Sequence, residues 1–214
     1  MNARQGEEMI FDYLKQLKRG PQVVLPKDTF IIIGFAGLNK ESMIIDAGTG
    51  SGWFAVQASF FVKKVISYEK NPTFAELAKK NIEKLKIENV EIKIKDVVEE
   101  GFDEKNVDMV FLDMANSHLA VEKAIRAIKE NGTVVGYLPH FEQLKVFAQE
   151  CKKCGLERIY AAEIIQRQIL IREAGIRPEN VGLVHTAYLL FAKKGKEVLT
   201  KIEQKRRKKL QKIK

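Results

Sequence analysis

Apolar residues in this chain come in short blocks separated by longer stretches in which they recur every three or four positions. That alternation of buried strands and amphipathic helices marks an α/β protein with a mostly parallel sheet. The block Met43–Ala47 (MIIDA) predicts a buried strand running into a glycine cluster, and residues 52–62 predict a helix packed on a sheet. A second strand is expected over 65–68, ended by Glu69. Pro72 then opens a helix to about residue 85, with Phe74, Leu77, Ala78 and Ile82 on one face. Val90–Ile94 alternates as a third strand before Asp96, and Val107–Leu112 is a fourth, ended by Asp113. Residues 119–128 predict a helix stopped by Asn131-Gly132. A fifth strand is expected over 133–138, closed by Pro139, and a helix over 141–154, closed by Gly155. The stretches 159–170 and 184–192, joined by a loop with Gly175 and Arg177-Pro178, are expected to pair as antiparallel strands, since no helix-length segment intervenes.

Two segments precede the first strand: an amphipathic one over 7–17 and an apolar one over 29–35. No internal repeat is present. The organisation reads as an N-terminal helical segment (1–18), one domain (19–194) and a basic C-terminal tail (195–214). At 214 residues, 45% of them hydrophobic and 30% charged, the chain can bury a sizeable core. Two cysteines exclude a secreted disulfide framework. No run of eighteen apolar residues exists and the first eight residues are polar, so neither a membrane span nor a signal peptide is expected, and the cytoplasm is. Charge changes the picture further. Eleven basic residues fall from Lys193 onward, opposed by Glu197 and Glu203, so the whole excess of +9 sits there and the rest of the chain is neutral. Such a tail reads as a contact for RNA or DNA ahead of membrane, against the plainer reading of a solvated terminus.

Candidate chemistry begins at Asp46-Ala47-Gly48-Thr49-Gly50-Ser51-Gly52, between a predicted strand and helix. Glycines there let the backbone turn sharply and approach a ligand closely. The spacing is not the G-x-G-x-x-G of dinucleotide enzymes, and no Lys-Ser/Thr follows as in a phosphate-binding loop. Alone it is a weak signal. Its position makes it informative. Glu69 ends the next strand, where an acid can accept both ribose hydroxyls of a nucleoside. Asp96 follows the third strand, placed for an adenine amine, and Asp113 follows the fourth. Four acids at four consecutive strand ends are expected to face the crevice where open α/β sheets bind ligands. Capping or solvation of loops explains any one of them, less readily all four beside a glycine loop. An acid-lined nucleoside pocket without a phosphate-binding lysine favours a cationic ligand that lacks phosphate. S-adenosylmethionine meets both conditions.

Five parallel strands followed by an antiparallel pair resemble the class I S-adenosylmethionine-dependent methyltransferase fold, a Rossmann-like, mostly parallel seven-stranded sheet. A closer resemblance covers residues 19–194. The run Arg19-Gly20-Pro21-Gln22-Val23-Val24-Leu25-Pro26-Lys27-Asp28 is similar to the segment ahead of the glycine loop in tRNA (adenine-N1)-methyltransferases, which modify the T-loop adenine. DAGTGSG matches that family's first motif, and Leu112-Asp113 the position of its catalytic aspartate. Tyr137-Leu138-Pro139 resembles its fifth-strand ending. Arg177-Pro178 followed by Val184-His185-Thr186-Ala187-Tyr188-Leu189 resembles its terminal signature. Three departures stand out. A Met114-Ala115-Asn116-Ser117-His118 loop replaces a leucine-proline-acid-proline-tryptophan type. About eighteen residues precede the first matching segment, where the family carries a small β-rich domain. Ala187 stands for a usual glycine.

The resemblance implies methyl transfer to N1 of a T-loop adenine in tRNA, in the region of position 58, with Asp113 beside the exocyclic amine. It implies a cofactor site of Gln22, Asp46, Gly48, Gly50, Ser51, Gly52, Trp53, Glu69, Asp96 and Asp113. It also implies tRNA held by the cleft and the basic tail, and homo-oligomers, tetramers in the family. A same-fold methyltransferase acting on a small molecule of corrin type or on a protein is the first rival. A non-catalytic RNA-binding subunit is the second, opposed by the retained glycine loop and acids. Cys151 and Cys154 have metal-like spacing without a second pair. His185 reads as a hydrogen-bonded structural histidine rather than a base. His118 is either a substrate contact or a surface residue. Trp53 and Phe54 read as helix packing, and Phe11, Tyr13, Leu14 and Leu17 as core, lid or oligomer contact.

Overall fold

Seven strands form one sheet, from edge to edge residues 90–94, 64–69, 43–47, 107–112, 128–138, 188–193 and 158–163, in a computed structural model that describes residues 10–20, 22–180 and 185–194. The tail 195–214, residues 1–9, Pro21 and 181–184, including Val184 of the terminal signature, lie outside the described residues. The strands are β1 (Met43–Ala47), β2 (Lys64–Glu69), β3 (Val90–Ile94), β4 (Val107–Leu112), β5 (Ile128–Leu138), β6 (Arg158–Glu163) and β9 (Tyr188–Lys193). A separate hairpin pairs β7 (Ile169–Arg172) with β8 (Gly175–Pro178). β1 pairs in parallel with β2 and β4, β2 with β3, and β4 with β5. Only β9 runs against the others, antiparallel to both β5 and β6.

Side chains alternate across the central strands, so each strand feeds two cores. Ile45, Ile66, Val110 and Leu112 face one side, under α6 (Val121–Ala127) and α7 (Phe141–Lys153). Ile44, Val65, Met109 and Phe111 face the other, under α2 (Pro26–Ala36) and α3 (Trp53–Ser59). The ring of Phe54 stacks on that of Phe111 with centroids 4.0 Å apart. Leu14 and Leu17, on and just after α1 (Ile10–Lys15), are buried against Val56 and Ile82, the latter on α4 (Pro72–Lys84). Phe11 stays about half exposed. Among the described residues, no helix is long and apolar enough to cross a membrane.

Two expectations need correction. The helix expected over 119–128 is a 3₁₀ turn (Ser117–Ala120) followed by α6, and Asn131-Gly132 does not end it: β5 begins at Ile128 and runs through both residues. The register explains this. Val107 faces Ile128 but Met109 faces Thr133, so the intervening residues bulge from the ladder. A Cβ on Gly132 would lie 2.7 Å from the Cβ of Ile128, so the glycine serves the bulge rather than a helix stop. The stretch 159–170 is also not one strand. β6 pairs with β9 as expected, but its continuation leaves the sheet and folds on itself as the β7–β8 hairpin, where Arg172 faces Gly175 across a tight turn.

A buried ion pair ties the start of α2 to the β5, β6 and β9 end of the sheet. Lys27 Nζ donates to Asp28 Oδ1 (2.8 Å), the Ile164 carbonyl (2.7 Å) and Thr186 Oγ1 (2.7 Å). Asp28 Oδ2 accepts from Thr186 (2.9 Å) and from the Tyr137 hydroxyl (3.2 Å). All three ammonium protons are satisfied, and Asp28 is fully buried. Lys27→Met strands that carboxylate without its counter-charge. It should cost roughly 3–5 kcal/mol, read as a lower midpoint in chemical denaturation. An unchanged midpoint would show that the pair contributes nothing to folding.

Candidate active site

The carboxyl ends of β1, β2 and β4 open onto a cavity of about 460 Å³, within the range of small-molecule sites. Its wall includes Gly48, Gly50 and Ser51 from the loop after β1, and Glu69 from the end of β2. Asp96 and Asp113 come from beyond β3 and β4. Gly20 and Gln22 close one side, and Met114, Ala115, Asn116 and Leu119 another. Seven of the ten residues expected at a cofactor site therefore line one space: Gln22, Gly48, Gly50, Ser51, Glu69, Asp96 and Asp113. Asp46, Gly52 and Trp53 stand behind that wall. Gly52 packs against Ala78, where an added Cβ would lie 3.2 Å from the Ala78 Cβ. The Trp53 ring lies under the guanidinium of Arg19, 5.7 Å away.

The glycine loop closes on β4 more tightly than any side chain allows. Gly48 has φ +95°, and a Cβ there would sit 1.9 Å from the Asp113 carbonyl oxygen. The Asp113 N–H donates to the Ala47 carbonyl (2.8 Å), and the Gly48 N–H to that of Tyr68 (2.9 Å). The loop is thus clamped between its two neighbouring strands. Tyr68 itself lines the cavity, and its hydroxyl donates to Glu104 (2.5 Å) while accepting from the Asp103 N–H (3.1 Å).

Each acid has its own surroundings. Asp46 is buried beneath the loop, where Ser67 donates to it (2.5 Å) and Thr49 lies 2.6 Å from Ser67. Glu69 accepts the Gly50 N–H with Oε2 and the Asn71 N–H with Oε1, both at 2.9 Å, so it shapes the loop as well as lining the cavity. Asp96 caps α5 (Val97–Glu100) by accepting from the Val98 N–H (2.9 Å), and its other oxygen is 3.8 Å from Lys70. Burial pushes Asp113 up to about 8, with the Asp46 charge adding to the shift. Burial also pushes Asp46 up to about 7, the Ser67 bond opposing and the Glu69 charge reinforcing. Both carboxyls hold protons far above the ordinary carboxylate range because their ionised forms lack a cation. A positive ligand would supply one.

Two residues that pattern reading passed over hold the wall in place. Asn81 Nδ2 donates to the carbonyls of Lys18 (2.9 Å) and Ser51 (2.8 Å), while its Oδ1 accepts the Lys18 N–H (3.0 Å). Gln57 Nε2 donates to the Val24 carbonyl (2.9 Å). These buried amides pin Lys18 and Val24 beside the glycine loop, and Gly20 and Gln22 between them line the cavity. Their signal in the sequence is a lone amide on an otherwise apolar helix face. His185 bonds through both ring nitrogens, to Glu163 (2.6 Å) and the Pro139 carbonyl (2.9 Å), and so is structural. His118 sits in the 3₁₀ turn outside the cavity wall. Cys151 is buried and Cys154 half-buried, both as free thiols; no group of three metal-ligating side chains occurs among the described residues.

The residues present fit the sulfonium nucleoside that the resemblance implies. The Ser51 hydroxyl is buried at the cavity wall with no hydrogen-bond partner among the described residues, and Gly48 and Gly50 line the same wall. Gly48→Ala forces both a disfavoured φ and a collision with the Asp113 carbonyl. It should abolish S-adenosylmethionine binding in a calorimetric titration, and retained affinity would contradict the cradle.

Comparison with known proteins agrees with this geometry. Residues 13–211 match the family model of the tRNA methyltransferase complex GCD14 subunit. The chain is 36% identical to the tRNA (adenine(57)-N(1)/adenine(58)-N(1))-methyltransferase TrmI of Methanocaldococcus jannaschii, over 93% of this chain and 81% of that protein. A Thermotoga maritima structure described as an S-adenosylmethionine-dependent O-methyltransferase superposes with a TM-score of 0.81 at 32% identity, covering 90% of this chain and 74% of that one. The tRNA (m1A58) methyltransferase TrmI of Aquifex aeolicus gives 0.79 at 27% identity, covering 86% and 75%. With the acid-walled cavity, the glycine cradle and a match over nearly its whole length, the chain belongs to the GCD14/TrmI family of tRNA methyltransferases.

Proposed function

We propose that this protein methylates N1 of a T-loop adenine in tRNA, in the region of position 58, with S-adenosylmethionine as donor. The observation that carries this reading is Asp113, standing at the wall of an acid-lined cavity against the Gly48 cradle in a chain of this family. The cofactor, when bound, supplies a methyl group already activated on a positively charged sulfur, so the protein contributes alignment more than acid–base power. Gly48, Gly50 and the Ser51 hydroxyl hold its methionine end, Glu69 its ribose and Asp96 its adenine. Asp46 contributes from behind the loop, through charge and through Ser67.

The target adenine must leave its stack to enter the cavity. Methylation at N1 places positive charge on the ring. The Asp113 carboxylate beside the exocyclic amine stabilises that charge and accepts the amine proton. Met114, Ala115 and Asn116 form the wall next to Asp113, so the substituted loop shapes the base pocket without Pro or Trp. The tail holds phosphates while the cavity reads the base. A tRNA substrate places the reaction in the cytoplasm. Homo-oligomers belong to the same reading, and the exposed Ile169, Ile171 and Ile176 on the β7–β8 hairpin give a second copy an apolar face.

Asp113→Ala should lower kcat by about 10²–10⁴-fold, followed as labelled methyl on tRNA adenine. Because Asp46 and Asp113 ionise near 7 and 8, a cation bound among them should displace protons. S-adenosylmethionine affinity should therefore rise with pH between about 6 and 8. Calorimetry in two buffers should register the released protons, and Asp113→Asn should remove most of them. The same shift sets a stability trend: unfolded carboxyls ionise near 3.8 while these two stay protonated, so the free protein loses stability as pH climbs from there to about 8. Removing residues 195–214, with nine Lys and Arg against two Glu, should weaken tRNA binding and flatten its salt dependence.

A further inference from the structure

A stack of rings stands on the same edge of the sheet as the cavity, and the chemistry derived above leaves it without a task. Phe141 opens α7 just past the β5 tip with 64% of its surface exposed, the most exposed aromatic side chain among the described residues. Its ring lies 4.2 Å from that of Tyr188 at an interplanar angle of 24°. Tyr188 in turn lies 4.7 Å from the imidazole of His185. That imidazole is fixed through both ring nitrogens, by Glu163 and the Pro139 carbonyl.

The stack is close to the reacting centre. Tyr188 faces Leu138 at the end of β5, and β5 lies beside β4, which ends at Asp113. Neighbouring strands are about 4.8 Å apart, so β9 lies roughly 10 Å from β4, a distance a flanking nucleotide spans. Gln143, in the same first turn of α7, donates to the Ala115 carbonyl (3.4 Å) on the cavity wall, so stack and cavity share a rim. Around Phe141 the surface is polar: His140, Glu142 and Lys145 are all exposed. One flat ring in a polar setting, backed by a second ring and a fixed imidazole, is too small for an apolar protein face. It matches the plane of a nucleobase.

We infer that Phe141, backed by Tyr188 and by the fixed ring of His185, forms a platform on which an unpaired base next to the target adenine stacks. This rests on the tRNA reading above. Extruding the target base strips its neighbours of a stacking partner, and a protein ring replaces what they lose.

The test uses the full chain, an unmodified tRNA transcript, and Phe141→Ala, Phe141→Leu and Phe141→Trp. Phe141→Ala should weaken tRNA binding and raise KM for tRNA by about tenfold, the cost of one lost base–aromatic stack. kcat at saturating tRNA and S-adenosylmethionine affinity should stay near wild type, and Phe141→Trp, but not Phe141→Leu, should restore the KM. If wild type methylates tRNA and Phe141→Ala leaves KM unchanged, the platform falls while the proposed function stands. If wild type transfers no methyl to tRNA, both fall. Rescue by Phe141→Leu, or a changed molecular mass in Phe141→Ala, would make the ring a packing or self-association contact and overturn the platform.

Discussion

The approach of Gly48 to the Asp113 carbonyl governs the catalytic edge of this protein. Because no side chain intervenes, the loop after β1 lies directly against the tip of β4, and the two acids of those strands come within reach of each other's charge. The loop is further fixed by N–H donation from Gly48 to Tyr68 and from Gly50 to Glu69. A loop held between two strands by such bonds needs little reorganisation to receive a ligand, and preorganisation of this kind lowers the entropy lost on binding.

The electrostatics follow from that closeness. Buried carboxylates usually find a cation or several donors; here Asp46 has one hydroxyl donor and Asp113 has no side-chain partner among the described residues. The free protein meets the shortage by holding protons. Exchanging those protons for a sulfonium gives the site a preference for a cationic donor over its neutral product, since only the former satisfies the ionised acids. The lysines nearby serve elsewhere: Lys93 and Lys95 pair with Asp103, and Lys70 stands nearest to Asp96.

The two segments that carry the most specific resemblance meet in space through Lys27 and Asp28 of one and Thr186 of the other. Lys27 and Asp28 bond Thr186 and Tyr137, while His185 bonds the Pro139 carbonyl. The tip of β5 is therefore gripped from both sides, by an ion pair on one and an imidazole on the other. Residues some 160 positions apart thus share one task, holding the strand end that borders Asp113. Their spacing along the chain gives no hint of it.

The strands, their parallel character and the acid at each strand end were legible from the sequence, because blocks of apolar residues, glycines and strand-terminating acids are local patterns. So was the antiparallel return of β9. Local pattern failed where distant register intervened: Asn131-Gly132 has the chemistry of a helix stop, yet the mismatch between β4 and β5 made it a bulge. The hairpin of β7 and β8 escaped notice because an apolar run does not say which strand it will pair with. Only the tertiary structure decided that Asp46 lies behind the cavity wall rather than in it, that Glu69 divides its oxygens between two backbone donors, and that Asn81 and Gln57 fasten Lys18 and Val24 beside the loop. Sequence determines what each side chain is able to donate, accept or bury. Which partner it meets depends on elements folded from far along the chain, and that is a property of three-dimensional packing alone.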